Sequence, residues 1–164
     1  MIEIILAAVL LILDQLTKHW AVLNCQSSIP LIPGVLELIY HENDGIAWGL
    51  FSGASQILSV LTAVFCALMV LLYIKKRKSL LRISRFTLAL IFAGALGNCI
   101  DRIFLGYVRD MVYVSAINFP VFNLADSCIV IGAGLFIIEV LFCKGSIFDV
   151  LEEAWQARKK KENI

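Results

Sequence analysis

Two aspartates, Asp110 and Asp126, stand at the margins of segments apolar enough to live in a membrane. Asp126 lies in Phe122-Asn123-Leu124-Ala125-Asp126-Ser127, just ahead of the apolar run from Ile129 to Cys143. Asp110 lies in Tyr107-Val108-Arg109-Asp110-Met111-Val112, just beyond another apolar segment. A carboxylate near lipid costs several kcal/mol or takes up a proton, so it marks a functional position by default. Two carboxyl groups that meet at one place share a proton. That is the arrangement with which aspartic proteases activate water.

The elements that must bring them together are apolar helices. The chain has 164 residues, 60% of them apolar and 16% charged, with a mean hydropathy of +0.89. Soluble domains are charged at about 25% of positions, so the composition is that of a single integral membrane domain covering residues 1–164. Four segments reach the roughly 20 residues a spanning helix needs: about 4–23, 57–74, 86–105 and 124–143. Met1-Ile2-Glu3 lacks a basic leader, so the first run reads as a retained helix.

Lys and Arg set the expected orientation. The connection 75–85 holds Lys75, Lys76, Arg77, Lys78, Arg82 and Arg85, and the tail 144–164 holds Lys144, Arg158, Lys159, Lys160 and Lys161. The loop 24–56 holds no Lys or Arg, and the connection 106–120 holds Arg109 alone. Both termini and the middle loop are therefore expected on the cytoplasmic side. The polar residues of spans one, three and four then gather near the outer leaflet.

The outer loop carries Ile29-Pro30-Leu31-Ile32-Pro33-Gly34, which reads as a turn. Strand-like alternation over 35–41 and turn chemistry at Asn43-Asp44-Gly45 follow. The fold class expected is thus all-α with four transmembrane helices, plus a small extracytoplasmic β-rich loop. The tail 146–157 reads as an interfacial helix with Ile147, Phe148, Leu151, Ala154 and Trp155 on one face.

Helical spacing collects the remaining polar residues. Asp14 and Lys18 are i and i+4 and can pair; Asn98, Asp101 and Arg102 share a face; Asn123 and Asp126 are i and i+3. Small residues Gly94, Gly97, Gly132 and Gly134 permit close helix approach. Glu139 is expected to snorkel to the cytoplasmic surface near Lys144. Of the five cysteines, Cys25 alone reads as exposed, and neither a disulfide framework nor a zinc site emerges. The chain lacks His-Glu-x-x-His and Gly-x-Ser-x-Gly, and its two histidines are His19 and His41. No cofactor, metal or nucleic acid is expected.

Five segments, in order, resemble the motifs of the bacterial lipoprotein signal peptidases. They are Asp14-Gln15-Leu16-Thr17-Lys18, Asn43-Asp44-Gly45-Ile46-Ala47-Trp48-Gly49, Gly94-Ala95-Leu96-Gly97-Asn98-Cys99-Ile100-Asp101-Arg102, Val108-Arg109-Asp110-Met111-Val112 and Phe122-Asn123-Leu124-Ala125-Asp126-Ser127. The resemblance implies a membrane aspartic endopeptidase with Asp110 and Asp126 as its catalytic pair. Asn43, Asn98, Arg102 and Asn123 would bind substrate or support the pair, and Asp14 with Lys18 would form a structural ion pair. It implies, as substrates, prolipoproteins whose cysteine carries diacylglycerol, cut before that cysteine by a monomer among membrane lipids. Arg109, Asp44 and Ile46 depart from the family pattern, and a cation at 109 is expected to favour ionised Asp110. Two other classes fit the same charges. A proton-coupled exporter would need a polar path across the whole membrane, and a lipid-binding scaffold would tolerate Asp→Asn changes.

Overall fold

The computed structural model describes residues 1–45 and 50–162, so Ile46, Ala47, Trp48 and Gly49 of the outer-loop motif lie outside the described residues. The chain order is α1 (Ile2–Asn24), β1 (Ile29–Ile32), β2 (Leu36–Asn43), α2 (Ser55–Lys76), α3 (Arg82–Leu105), β3 (Val108–Tyr113), α4 (Leu124–Phe142) and α5 (Ile147–Glu162). A 3-10 turn, Ser115–Ile117, lies between β3 and α4. Among the described residues, α2, α3 and α4 are long and apolar enough to cross a membrane. α1, at 23 residues, is as long but is not among these three, and it carries Asp14 and Lys18.

α3 is the central helix and packs against α1, α2 and α4. Small residues make that possible. A Cβ added at Gly94 would lie 2.3 Å from the Ala125 carbonyl oxygen of α4, and one at Gly97 would lie 2.5 Å from the Asp14 carboxylate of α1. At Gly94 the backbones touch, and at Gly97 the Asp14 carboxylate takes the place where a side chain would otherwise stand. Gly132 does the same for Ile91, whereas Gly134, expected to act alike, has nothing within 4 Å of the corresponding point. The outward faces are apolar: Ile57, Leu61 and Leu68 of α2 and Phe104, Val130 and Phe142 of α3 and α4 are all exposed. Such a belt suits lipid, not water.

The sheet is antiparallel in the order β1-β2-β3. β2 falls on the segment expected as a strand, though its burial does not alternate: Leu36 to Tyr40 are all half-buried. β1 falls on the Ile29–Ile32 segment read as a turn; Pro30 sits there because an edge strand tolerates a missing donor. β3 comes from the other connection, the one that carries Asp110. It starts after Gly106, whose φ of +86 closes α3 in the left-handed region and reverses the chain. Two core clusters stand apart. Ala21, Cys25 and Met111 pack under the sheet, so Cys25 is buried rather than exposed. Met69, Leu80, Leu88, Ile147 and Val150 pack at the opposite end of the bundle.

That second cluster anchors α5. Its inward residues are Ile147 and Val150, while Phe148, Leu151 and Trp155 of the expected face are exposed; the side chain of Ala154 lies outside the described residues. Glu139 does not snorkel. It is fully buried, accepts hydrogen bonds from the Ser84 hydroxyl and from the Ile147 backbone N–H at 2.8 Å, and so caps the start of α5.

Candidate active site

The sheet and the α4 N-terminus bring the two aspartates together. Backbone pairing of Val112 with Phe122 (N–H to carbonyl 2.8 and 3.0 Å) lays the chain entering α4 alongside β3. Asn123 then caps α4: its side chain accepts from the Asp126 N–H at 2.9 Å, and the Asp126 carboxylate accepts from the Asn123 N–H at 3.1 Å. This reciprocal box fixes the Asp126 side chain before any substrate arrives. The Asn123 side-chain amide donates to Asp110 Oδ1 at 2.6 Å, so one residue touches both carboxylates. Asn43, diagonal to Asp110 across the β2–β3 ladder, donates to Asp110 Oδ2 at 2.9 Å. Asn98 of α3 donates to Asp126 Oδ1 at 2.7 Å.

A layer of buried charge stands behind this pair. Lys18 Nζ lies 2.9 Å from Asp14 Oδ2 and 3.5 Å from Asp101 Oδ2, and it donates to Asn98 Oδ1 at 2.8 Å. Asp14 Oδ1 accepts the Ala125 N–H at 2.9 Å, which ties α1 to the first turn of α4. The polar stripes of α1, α3 and α4 therefore do meet at one end of the bundle.

Asp101 and Arg109 make the connection that spacing did not reveal. Asp101 accepts from the Arg109 backbone N–H at 3.0 Å and from its guanidinium at 3.1 and 2.7 Å. Arg109 also donates to Gln15 Oε1 at 3.0 Å. In a strand, neighbours point to opposite faces, so Arg109 turns toward Asp101 while Asp110 turns toward Asn123 and Asn43. The expectation that Arg109 keeps Asp110 ionised is corrected by this. Burial, followed by the charge of Asp126, pushes the Asp110 carboxyl up to about 7, against the lowering donations of Asn43 and Asn123. Asp110 is only 1% exposed, whereas Asp126 is half-buried.

Arg102 points away from Asp101. Its Nη2 donates to the Gly45 carbonyl at 2.8 Å, and its charge is within electrostatic reach of Asp126 and Asp110. Asn98 and Arg102 also line a cavity of about 310 Å³ between α2, α3 and α4, walled by Leu61, Phe65 and Ile129. Asp44, in the outer loop, accepts from Ser52 Oγ at 2.7 Å and from the Gly53 N–H at 3.1 Å. These donors hold its carboxyl below the usual range. Its work is to close the turn at Gly53, away from the pair.

The arrangement suits hydrolysis by two carboxyls: one deeply buried, one half-buried, both oriented by amides. Known proteins are similar to the chain over most of its length. The signal peptidase (SPase) II family model matches residues 6–142. A lipoprotein signal peptidase of Clostridium acetobutylicum is 39% identical over 144 residues, covering 85% of this chain and 93% of that protein. One of Staphylococcus haemolyticus is 40% identical over 144 residues, covering 85% and 90%. Two solved structures of bacterial membrane enzymes, determined by the in meso method, superpose with TM-scores of 0.77 and 0.73 at 34% and 33% identity. The first covers 85% of this chain and 87% of its own, the second 87% and 94%. With the match running over nearly the whole length and through every element that builds the carboxylate site, the chain belongs to the signal peptidase II family.

Proposed function

We propose that the chain removes signal peptides from prolipoproteins whose cysteine already carries diacylglycerol, cutting before that cysteine with Asp110 and Asp126. The observation that carries this is the shared support of the two carboxylates by Asn123, with Asn43 and Asn98 each holding one. One water sits between the carboxyls. The ionised member takes its proton, and hydroxide oxygen adds to the scissile carbonyl, which the protonated member polarises. Collapse of the tetrahedral adduct returns a proton to the departing amine, and the pair again holds one proton. The proton belongs to the pair, and burial favours Asp110 as its carrier in the free enzyme. Arg102 and the apolar cavity beside it would hold the substrate backbone and its neighbouring lipid.

In this reading α1 is a fourth span, the whole chain is one integral domain, and the Lys- and Arg-rich ends face the cytoplasm of a bacterial cell. The pair then lies at the outer leaflet, where acyl chains stay in the membrane while the peptide bond reaches the carboxyls. The enzyme works as a monomer, with neither metal nor cofactor. An exporter reading is disfavoured because α2 is uncharged between Ser55 and Tyr73, leaving no polar path on that side.

Purified protein in detergent is expected to cleave a diacylglyceryl-modified prolipoprotein peptide immediately before the modified cysteine, with chelator present. Mass analysis of the products decides the matter. Cutting elsewhere, or no cutting by folded protein, would remove this function.

The raised Asp110 carboxyl fixes the alkaline side of the pH profile. Below about 7 it holds its proton; above that value the pair loses its single proton and turnover falls. In Asn43→Ala, Asp110 loses a donor that favours its ionised form, so the alkaline limb of kcat/KM should move up by about 1 pH unit. A limb that stays put or moves down would separate Asp110 from the proton in question.

A further inference from the structure

Another cavity lies at the far end of the bundle from the carboxylates. It measures about 480 Å³ and runs between α1, α2 and α3, with walls of Ile4, Ala7, Val70, Ile74 and Phe92. Its mouth is charged: Arg77, Arg85, Glu3 and Tyr73 line it. Glu3 is already engaged, accepting from Tyr73 at 3.1 Å and facing Arg85 Nη1 at 3.6 Å. Glu3, which also pairs with the Met1 ammonium at 3.1 Å, is among the described residues the one carboxylate lining a groove that holds two guanidiniums. Arg77 is exposed, and Arg85 Nε is buried with no hydrogen-bond partner among the described residues. A buried donor without an acceptor is costly and calls for one.

We propose that this groove holds an anionic glycerophospholipid, one acyl chain along the apolar wall and the phosphate on Arg77 and Arg85. From Arg85 to Phe92 the wall runs about 10 Å along α3, long enough to seat a length of chain. A phosphate oxygen supplies the missing acceptor, and the guanidinium fork matches it in pairs. Free phosphate would leave the apolar wall empty, and a neutral lipid would leave the charge unmatched. Lys75, Lys76 and Lys78 raise the positive potential around the mouth, which favours negative headgroups. The site lies at the other end of α3 from Asn98 and Arg102, so it is separate from the peptidase site. It rests on the reading that these helices cross a membrane.

Native mass spectrometry of the purified protein tests it, with phosphatidylglycerol and phosphatidylcholine of identical acyl chains offered at equal mole fraction. Wild-type protein should retain phosphatidylglycerol preferentially. The preference should fall by about five-fold for each arginine removed in Arg77→Gln and Arg85→Gln. Ala7→Phe should expel both lipids by filling the groove. Equal retention of the two lipids by wild type, or an undiminished preference in Arg77→Gln, overturns the site. Arg77 is exposed, so its variant folds even if Arg85→Gln does not. Binding is read without turnover, so loss of this site would leave the peptidase reading standing, and absence of cleavage would leave the lipid result standing.

Discussion

Asp110→Asn and Asp126→Asn should each lower cleavage of the lipidated peptide by about 10²- to 10⁴-fold, the scale of a lost general acid or base. Neither should unfold the protein. Asparagine at 126 can still accept the Asn123 N–H and keep the α4 cap. At 110 the effect on stability should be the opposite of damage. Wild type keeps a carboxyl at 110 whose pKa is displaced from 3.8 to about 7, because burial and Asp126 both oppose its charge. An acid raised in the folded state destabilises the fold as pH climbs from the unfolded to the folded value, and the full cost holds above it. A displacement of this size is worth on the order of 4 kcal/mol. Asp110→Asn relieves it, less the cost of setting an amide against the Asn43 donor. The inactive variant should therefore melt above wild type at pH 8 and lose that advantage at pH 4. A variant that melts lower at pH 8, or that retains turnover, would show that Asp110 is not the strained proton carrier.

The largest loss of stability should follow Lys18→Met. Lys18 is fully buried and faces Asp14, Asp101 and Asn98. Removing one member of a buried charge set leaves its partners uncompensated, at a cost of about 3–5 kcal/mol. Asp14 also holds the Ala125 N–H, and Asp101 holds the strand through Arg109, so the damage reaches both carboxylate-bearing segments. Denaturation in mixed detergent, followed by helical signal, reads this directly. Arg109→Leu should cost less, because Lys18 still faces Asp101 and Arg109 is partly reached by solvent. If Lys18→Met melts within experimental error of wild type, Lys18 has no structural role in the charge set.

Much of this was legible in the residues alone. Long apolar runs announce helices at any depth, and α2 to α4 fall within a few residues of the expected segments. The i, i+4 spacing correctly grouped Asp14 with Lys18, because helical faces are set by local geometry; of Asn98, Asp101 and Arg102, read as one face, the first two meet at Lys18 while Arg102 turns to Gly45. What stayed hidden depends on partners far along the chain. β3 is six residues long, and its strand character comes from β2 and Phe122 rather than from its own composition. Without the strand, Arg109 looks like a neighbour of Asp110. With it, the two side chains part company. Glu139 was misread for a similar reason: its partner, the start of α5, becomes a partner only when the tail folds back.

The alternation along β3 also makes the strand a sign selector. Arg109 and Asp110 differ by one position, and that position decides which faces the carboxylate pair and which faces Asp101. A slip of a single residue in one direction would deliver a fixed positive charge to the water site and set Val108 against Asp101; in the other it would press Asp110 against Asp101 and leave Met111 at the water site. Both ends would then be wrong at once, electrostatically as well as chemically. The energetic gap between correct and slipped pairing is therefore widened by the charge at position 109. An apolar residue at 109 would leave the slipped state merely unproductive. Arginine makes it repellent to the chemistry and intolerable to the charge layer behind it.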